Sequence, residues 1–223
     1  GLLMGMPLVA SGAFAGALLA ALVVFRLATN SRGTSVATML LAGIAISALA
    51  GALNSLLSFF SDNDMLRRIS LWQMGSLDSA TWARVATCAF AALIMAILIP
   101  REAKALNAML LGESEARHLG IQVEWLKRRL IIYSALGVAI SVAVAGVIAF
   151  VGLMIPHLIR LLIGPDHRSL IPASALAGAI LMVLADALAR FAVSPAELPV
   201  GVVTALLGAP FFLWLLVQQR EKS

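Results

Sequence analysis

Asp186 and Arg190 lie four residues apart inside a stretch that otherwise reads as hydrocarbon, Asp186-Ala-Leu-Ala-Arg190. On a helix that spacing puts carboxylate and guanidinium on one face, within pairing reach. A charged group in a lipid-facing sequence is costly and persists where it has a partner or a task. Mutual neutralisation suits Asp186. Arg190 is long enough to snorkel into water and could grip an acidic residue of another protein. Proton carriage by Asp186 is a third chemistry, but one carboxylate beside one arginine is poor material for a relay. Polar and helix-breaking residues recur around the pair, in Phe150-Val-Gly-Leu-Met-Ile-Pro-His-Leu-Ile-Arg160, Gly164-Pro-Asp-His-Arg168, Glu197-Leu-Pro-Val-Gly201 and Gly208-Ala-Pro-Phe-Phe212. Ser194-Pro-Ala-Glu197 has the form of a capping box, which gives Glu197 a structural role. His157 beside Arg160 reads as a packing residue. His118 and His167 fall in separate loops, so the three histidines do not form a metal site.

A second candidate is Leu110-Leu-Gly-Glu-Ser-Glu-Ala-Arg-His-Leu-Gly-Ile-Gln-Val123. Glu113, Glu115 and Arg117 alternate there with apolar Ala116, Leu119 and Ile121, and Gly112 and Gly120 punctuate it. The pattern predicts two short helices joined by a turn, one flank polar and one apolar. Such an element can dock on a partner; it can also be a solvated loop with local ion pairs. No paired carboxylates, HExxH or GxSxG pattern appears, so an intramembrane enzyme has little support, and no catalytic residue is assigned. No GxxxxGK[ST] pattern appears either, so ATP would have to be hydrolysed by another subunit.

The elements that position these residues are membrane spans. The chain is 61% hydrophobic and only 12% charged, against about a quarter charged in soluble domains. Its mean hydropathy is +1.00. Runs of about 20 apolar residues are long enough to span. They occur at about Pro7–Ala28, Val36–Phe60, Trp82–Ile99, Asp166–Phe191 and Gly201–Gln218. Leu130–Ile163 is too long for one straight span; Gly152 and Pro156 are expected to divide it, leaving a span to about Val151 and a short helix near Leu153–Leu162. The expectation is six spans and one short helix, an all-α transmembrane bundle forming a single domain over residues 1–223. With the loop 101–129 placed in the cytoplasm, twelve of the sixteen Lys and Arg fall inside and four outside. That is a strong positive-inside bias, which also places the C-terminus in the cytoplasm. The net charge of +5 therefore reflects cytoplasmic loops, not nucleic acid. Cys88 excludes an internal disulfide and reads as small filler. The chain starts at Gly1 and is apolar almost at once, with no leader pattern. That start is expected of a sequence beginning inside a longer protein.

These motifs, in this order, resemble the FecCD-type permease subunits of ATP-binding-cassette importers for iron–siderophore, haem and cobalamin. The likeness covers essentially the whole chain. It is most specific at Leu110–Gly120, Gly152–Arg160, Asp166–Pro172, Asp186–Arg190 and Glu197–Phe212. The resemblance implies helices four to ten of a ten-helix permease, about 100 residues being absent before them. It implies a homodimer in a bacterial inner membrane, two ATPase subunits that hold ATP and Mg, and a periplasmic binding protein. No cofactor is implied for this chain. By position, Leu111, Gly112, Glu113, Ser114, Glu115, Ala116, Arg117, Leu119 and Gly120 look like the ATPase-coupling segment of the loop 101–129. Arg190 looks like the docking arginine for the binding protein. Thr34, Ser35 and Thr38 look like part of a gate, and Asn54, Ser55 and Ser58 like polar positions along the path. Leu71-Trp-Gln-Met-Gly-Ser76 looks more like the iron-chelate and haem branch than the cobalamin branch. Haem ligation would want His, Met or Tyr; Met65 and Met74 are the outer-side options, each also explicable as packing. A cobalamin permease, an ion-coupled secondary transporter and a non-functional truncated permease stand as the alternatives.

Overall fold

A computed structural model describes residues 2–30, 33–34, 36–78, 80–192 and 198–220. Among them, α1 (Leu2–Ala28) leads through the strands β1 (Thr29–Asn30) and β2 (Gly33–Thr34) into α2 (Val36–Phe59). Then come α3 (Asn63–Met74), α4 (Trp82–Arg101), α5 (Ala103–Met109), α6 (Glu113–His118) and α7 (Val123–Ala145). α8 (Val151–Ile163), α9 (His167–Ala192) and α10 (Val200–Arg220) complete the bundle. The two strands form one antiparallel rung pair, Thr29 opposite Thr34 and Asn30 opposite Gly33.

α2 from Ala37, α4, α7 and α9 are each long and apolar enough to cross a bilayer. α1 has 27 residues, about 40 Å at 1.5 Å per residue, more than the roughly 30 Å hydrocarbon core. α8 has 13 residues, about 20 Å, and reaches only part way. The expected all-α bundle is therefore present.

α1 packs on α2 and α7, α4 on α7, and α9 on α4, α5, α8 and α10. Small residues sit at these crossings. Ala135 and Ala139 of α7, Ala185 and Ala189 of α9, and Thr204 of α10 are buried at helical spacing. Without a hydrophobic drive between helices in lipid, small side chains gain contact by letting backbones approach. The Thr204 hydroxyl donates to the Gly201 carbonyl at 3.0 Å, so its burial leaves no unsatisfied donor. The small residues four apart at Gly12 and Gly16 of α1, and at Ser47 and Gly51 of α2, are exposed and are not buried at a crossing within the chain.

Two features depart from the sequence reading. The long fourth apolar block breaks at Gly146, not at Gly152 and Pro156. Gly146 caps α7 at φ 72, its N–H donating to the Val142 carbonyl, and Phe150 opens α8 at φ 68. Pro156 lies within α8. The second departure is α3, a 12-residue helix between α2 and α4 that is shorter than a span. Asp62 caps it, accepting from the Met65 N–H at 2.8 Å. Its end, the segment 145–147 and the start of α10 form a backbone junction. Ser76 N–H donates to Ala145 O, Val147 N–H to Trp72 O, and Gly201 N–H to Gly75 O. Non-helical backbone at membrane depth must find such partners within the protein. A Cβ on Gly146 would strike the Trp72 carbonyl, and one on Gly201 the Met74 carbonyl. Both positions therefore require glycine.

Candidate functional site

The segment 101–129 is a clamped structure, not a loose loop. Glu102 is buried at the α4–α5 corner and pairs with Arg129 of α7 at 3.0 Å. Gly112, at φ 110, opens α6. Glu113 reaches back to Lys127 of α7 at 2.7 Å. The approach lies off the hydrogen-bonding direction, so Lys127 Nζ is held there by charge. Arg117 pairs more loosely with Glu113 at 3.8 Å and Glu124 at 3.6 Å. Beneath these pairs Ala116, Val123 and Leu126 are buried. The opposite face is open: Leu111 is 67% and Leu119 62% exposed, and Ser114 and Glu115 are also exposed. Glu113, Ala116 and Arg117 thus hold the segment to α7, while Leu111, Ser114, Glu115 and Leu119 present an apolar and acidic face outward. Only one helix, α6, lies within Leu110–Val123; the second short helix, α5, precedes it. Gly120, at φ 82, makes the turn back toward α7.

A second clasp joins α5 to α9 at the same end. Asn107 Nδ2 donates to Asp166 Oδ1 at 2.6 Å. Asn107 Oδ1 accepts from the His167 backbone N–H at 2.9 Å and faces His167 Nδ1 at 2.8 Å. Asp166 Oδ1 also accepts from the Arg168 N–H at 3.0 Å. The Arg168 N–H and the Asn107 amide both hold the Asp166 carboxyl below its ordinary pKa of 3.8. Asn107 was not singled out from the sequence; its partners lie 59 and 60 residues away, and no local pattern marks it.

Arg190 sits at the far end of α9. Its Nε donates to Asp186 Oδ2 at 2.8 Å, so the expected pair forms. The guanidinium also reaches Asp78 Oδ1 at 3.6 Å, tying the segment after α3 to α9. Arg190 remains exposed. On α2, Ser47, Gly51, Asn54 and Ser58 recur at helical spacing along one stripe. Asn54 and Ser58 are half-buried, and Ser55 and Thr38 exposed. Thr34 is the end residue of β2. Ser35, Ser194 and Glu197 lie outside the described residues. His157 packs its ring edge-on to Phe211 at 6.2 Å, as a packing residue would, but its buried Nε2 lacks a hydrogen-bond partner. Among the described residues no group of three or more His, Cys, Asp or Glu could hold a metal.

A family model described as the FecCD transport family matches residues 2–218. The haemin transport system permease of Yersinia pestis is 48% identical over 211 residues, which are 95% of this chain and 63% of that protein. The cobalamin import system permease of Halobacterium salinarum is 42% identical over 211 residues, 95% of this chain and 56% of that protein. The vitamin B12 import system permease of Vibrio cholerae is 42% identical over 211 residues, 95% of this chain and 63% of that protein. The chain thus spans 56–63% of the length of these relatives. A solved structure described as a metal-chelate type ABC transporter in an inward-facing conformation superposes with a TM-score of 0.80 at 33% identity. The match covers 96% of this chain and 74% of that one.

Proposed function

The chain belongs to the FecCD transport family, and from that premise we propose that it forms part of the permease subunit of an ATP-driven importer of an iron chelate, haem or a ferric siderophore. The observation that carries the reading is the clamped segment 101–129. A coupling element must be stiff on the side joined to the permease and open on the side that meets the ATPase. Glu113, Ala116 and Arg117 supply the first property, and Leu111, Ser114, Glu115 and Leu119 the second. ATP and Mg belong to the partner ATPase, and the permease does no covalent chemistry. Closure of two ATPase subunits displaces α6, two permease copies tilt, and the path opens alternately to either side. Transport of this kind needs a ligand bound with different affinity in the two states, not a ligand bound tightly.

Within this reading the membrane is a bacterial inner membrane, with residues 101–129 and the C-terminus on the cytoplasmic side. Arg190 faces the periplasm and meets an acidic residue of the binding protein. Thr34, Ser35 and Thr38 belong to the inner gate, and the polar stripe of α2 borders the path. Haem or a siderophore is favoured over cobalamin by the Leu71–Ser76 pattern and by the greater likeness to the haemin permease. The test is competition: the full-length transporter takes up labelled haem or ferric siderophore, and excess cobalamin does not slow it. Saturable cobalamin uptake without iron-chelate uptake would assign the cobalamin branch instead.

A further inference from the structure

Asn107 touches both the approach to α6 and the start of α9. Its carbonyl accepts from the Leu110 N–H at 3.1 Å, opening the run of turns, Leu111 to Ala108 and Gly112 to Met109, that leads into α6. Its side-chain amide uses both ends on α9: Nδ2 on the Asp166 carboxylate, Oδ1 on the His167 N–H and ring. The oxygen can only accept, so the His167 proton on that side sits on Nδ1. Contacts of this kind are directional and short. α6 is held to α7 by two ion pairs, Lys127–Glu113 at 2.7 Å and Arg117–Glu124 at 3.6 Å, whereas the Asn107 clasp joins α5 to the start of α9. Along α9, Arg190 and its bridge to Asp78 lie about 35 Å from His167 at 1.5 Å per residue.

We propose that Asn107 is a positioning residue that carries displacement of α6 into α9, and so links the ATPase-facing segment to Arg190 at the other end of the bundle. The inference rests on the importer reading. α5 packs on both α6 and α9, and the clasp makes the α5–α9 contact specific in direction. α9 is one continuous helix from His167 past Pro172 to Ala192, which gives a shift imposed at Asp166 and His167 a path toward Arg190. Thermodynamic linkage makes the path reciprocal: engagement at Arg190 biases the position of α6.

The test uses the full-length permease in proteoliposomes with its ATPase and binding protein. Asn107→Ala, Asn107→Asp, Asp166→Asn and the double variant Asn107→Asp/Asp166→Asn are compared. Co-purification of the ATPase and hydrolysis with and without binding protein are read for each. Asn107→Ala is expected to keep the ATPase bound while stimulation by the binding protein falls at least about fivefold, the lower end of usual coupling strengths. Asn107→Asp sets two carboxylates together and should lose stimulation as well. The double variant exchanges amide and carboxylate and should stimulate better than either of its single parents. Wild-type stimulation in Asn107→Ala would overturn the inference. So would loss of ATPase binding in step with stimulation, or a double variant no better than its parents. A wild-type complex without ATPase partner or stimulation would overturn the importer reading and this inference with it.

Discussion

Glu113 and Glu115 lie two residues apart on α6, yet the structure gives them opposite tasks. Glu113→Gln removes the carboxylate that holds Lys127 at 2.7 Å, leaving Glu124 at 3.9 Å as the nearest replacement. The gross Coulomb attraction at that separation is about 6 kcal/mol at an effective dielectric of 20 and about 1.5 in water. Net values are smaller, because exposed pairs contribute about 0–1 kcal/mol and breaking a fully buried one costs about 3–5. The Lys127 side chain is 15% exposed and that of Glu113 38%, which places this pair between the limits, at about 1–2 kcal/mol. The loss should appear as local opening of α6, because the pair fastens α6 to α7. The amides of Ala116, Leu119 and Ile121, bonded to Gly112, Glu115 and Ala116, should exchange about 5–30-fold faster. Hydrogen exchange of the full-length protein reads this directly. Glu115→Arg, on the exposed face, should leave those amides unchanged and uncouple ATP hydrolysis from uptake. Less than a twofold change in Glu113→Gln, or equal changes in both variants, would refute this division.

Gly201→Ala drives a Cβ into the Met74 backbone carbonyl; backbone cannot swing aside, so the cost is about 3 kcal/mol. Gly152→Ala meets nothing within 4 Å and should be neutral or slightly stabilising; detergent unfolding midpoints separate the two. The depressed pKa of Asp166 means that its clasp contributes fully above the ordinary value of 3.8 and is lost as pH falls below it. Amide exchange at residues 167–169 should therefore show no contribution from Asp166 titration between pH 8 and 5 and a rise from it only in stronger acid; Asp166→Asn should abolish that rise. Arg190→Glu should weaken capture of the binding protein while the ATPase still co-purifies, and unchanged affinity would remove Arg190 from the docking role.

Much of this was legible in the chain because membrane spans are written in length and composition. The starts of α2 and α4 and the extent of α9 fall within a residue or so of the apolar limits. The α7–α8 break was not legible at its true place. Gly152 and Pro156 are the stronger local signals, but the deciding contact is between Gly146 and the Trp72 carbonyl, over seventy residues away in sequence. α3 carries a signal in Asp62 as a cap, but at 12 residues it falls short of the roughly 20 apolar residues that mark a span. In the 101–129 loop the alternation of charged and apolar residues announced one polar and one apolar flank. Which carboxylate faces inward depended on where Lys127 would lie, and that is set by the turn at Gly120. Asp186 with Arg190 could be paired from spacing alone, whereas Asp78 joins them only through tertiary packing.

The most direct test of the importer reading is the energy source for uptake. Full-length permease is reconstituted with its ATPase and binding protein in liposomes, and labelled haem or ferric-siderophore entry is followed with vanadate or with an uncoupler. Uptake that needs ATP, stops with vanadate and ignores the uncoupler is the expected result. Uptake that collapses with the uncoupler and continues in vanadate would contradict it and point to an ion-coupled transporter.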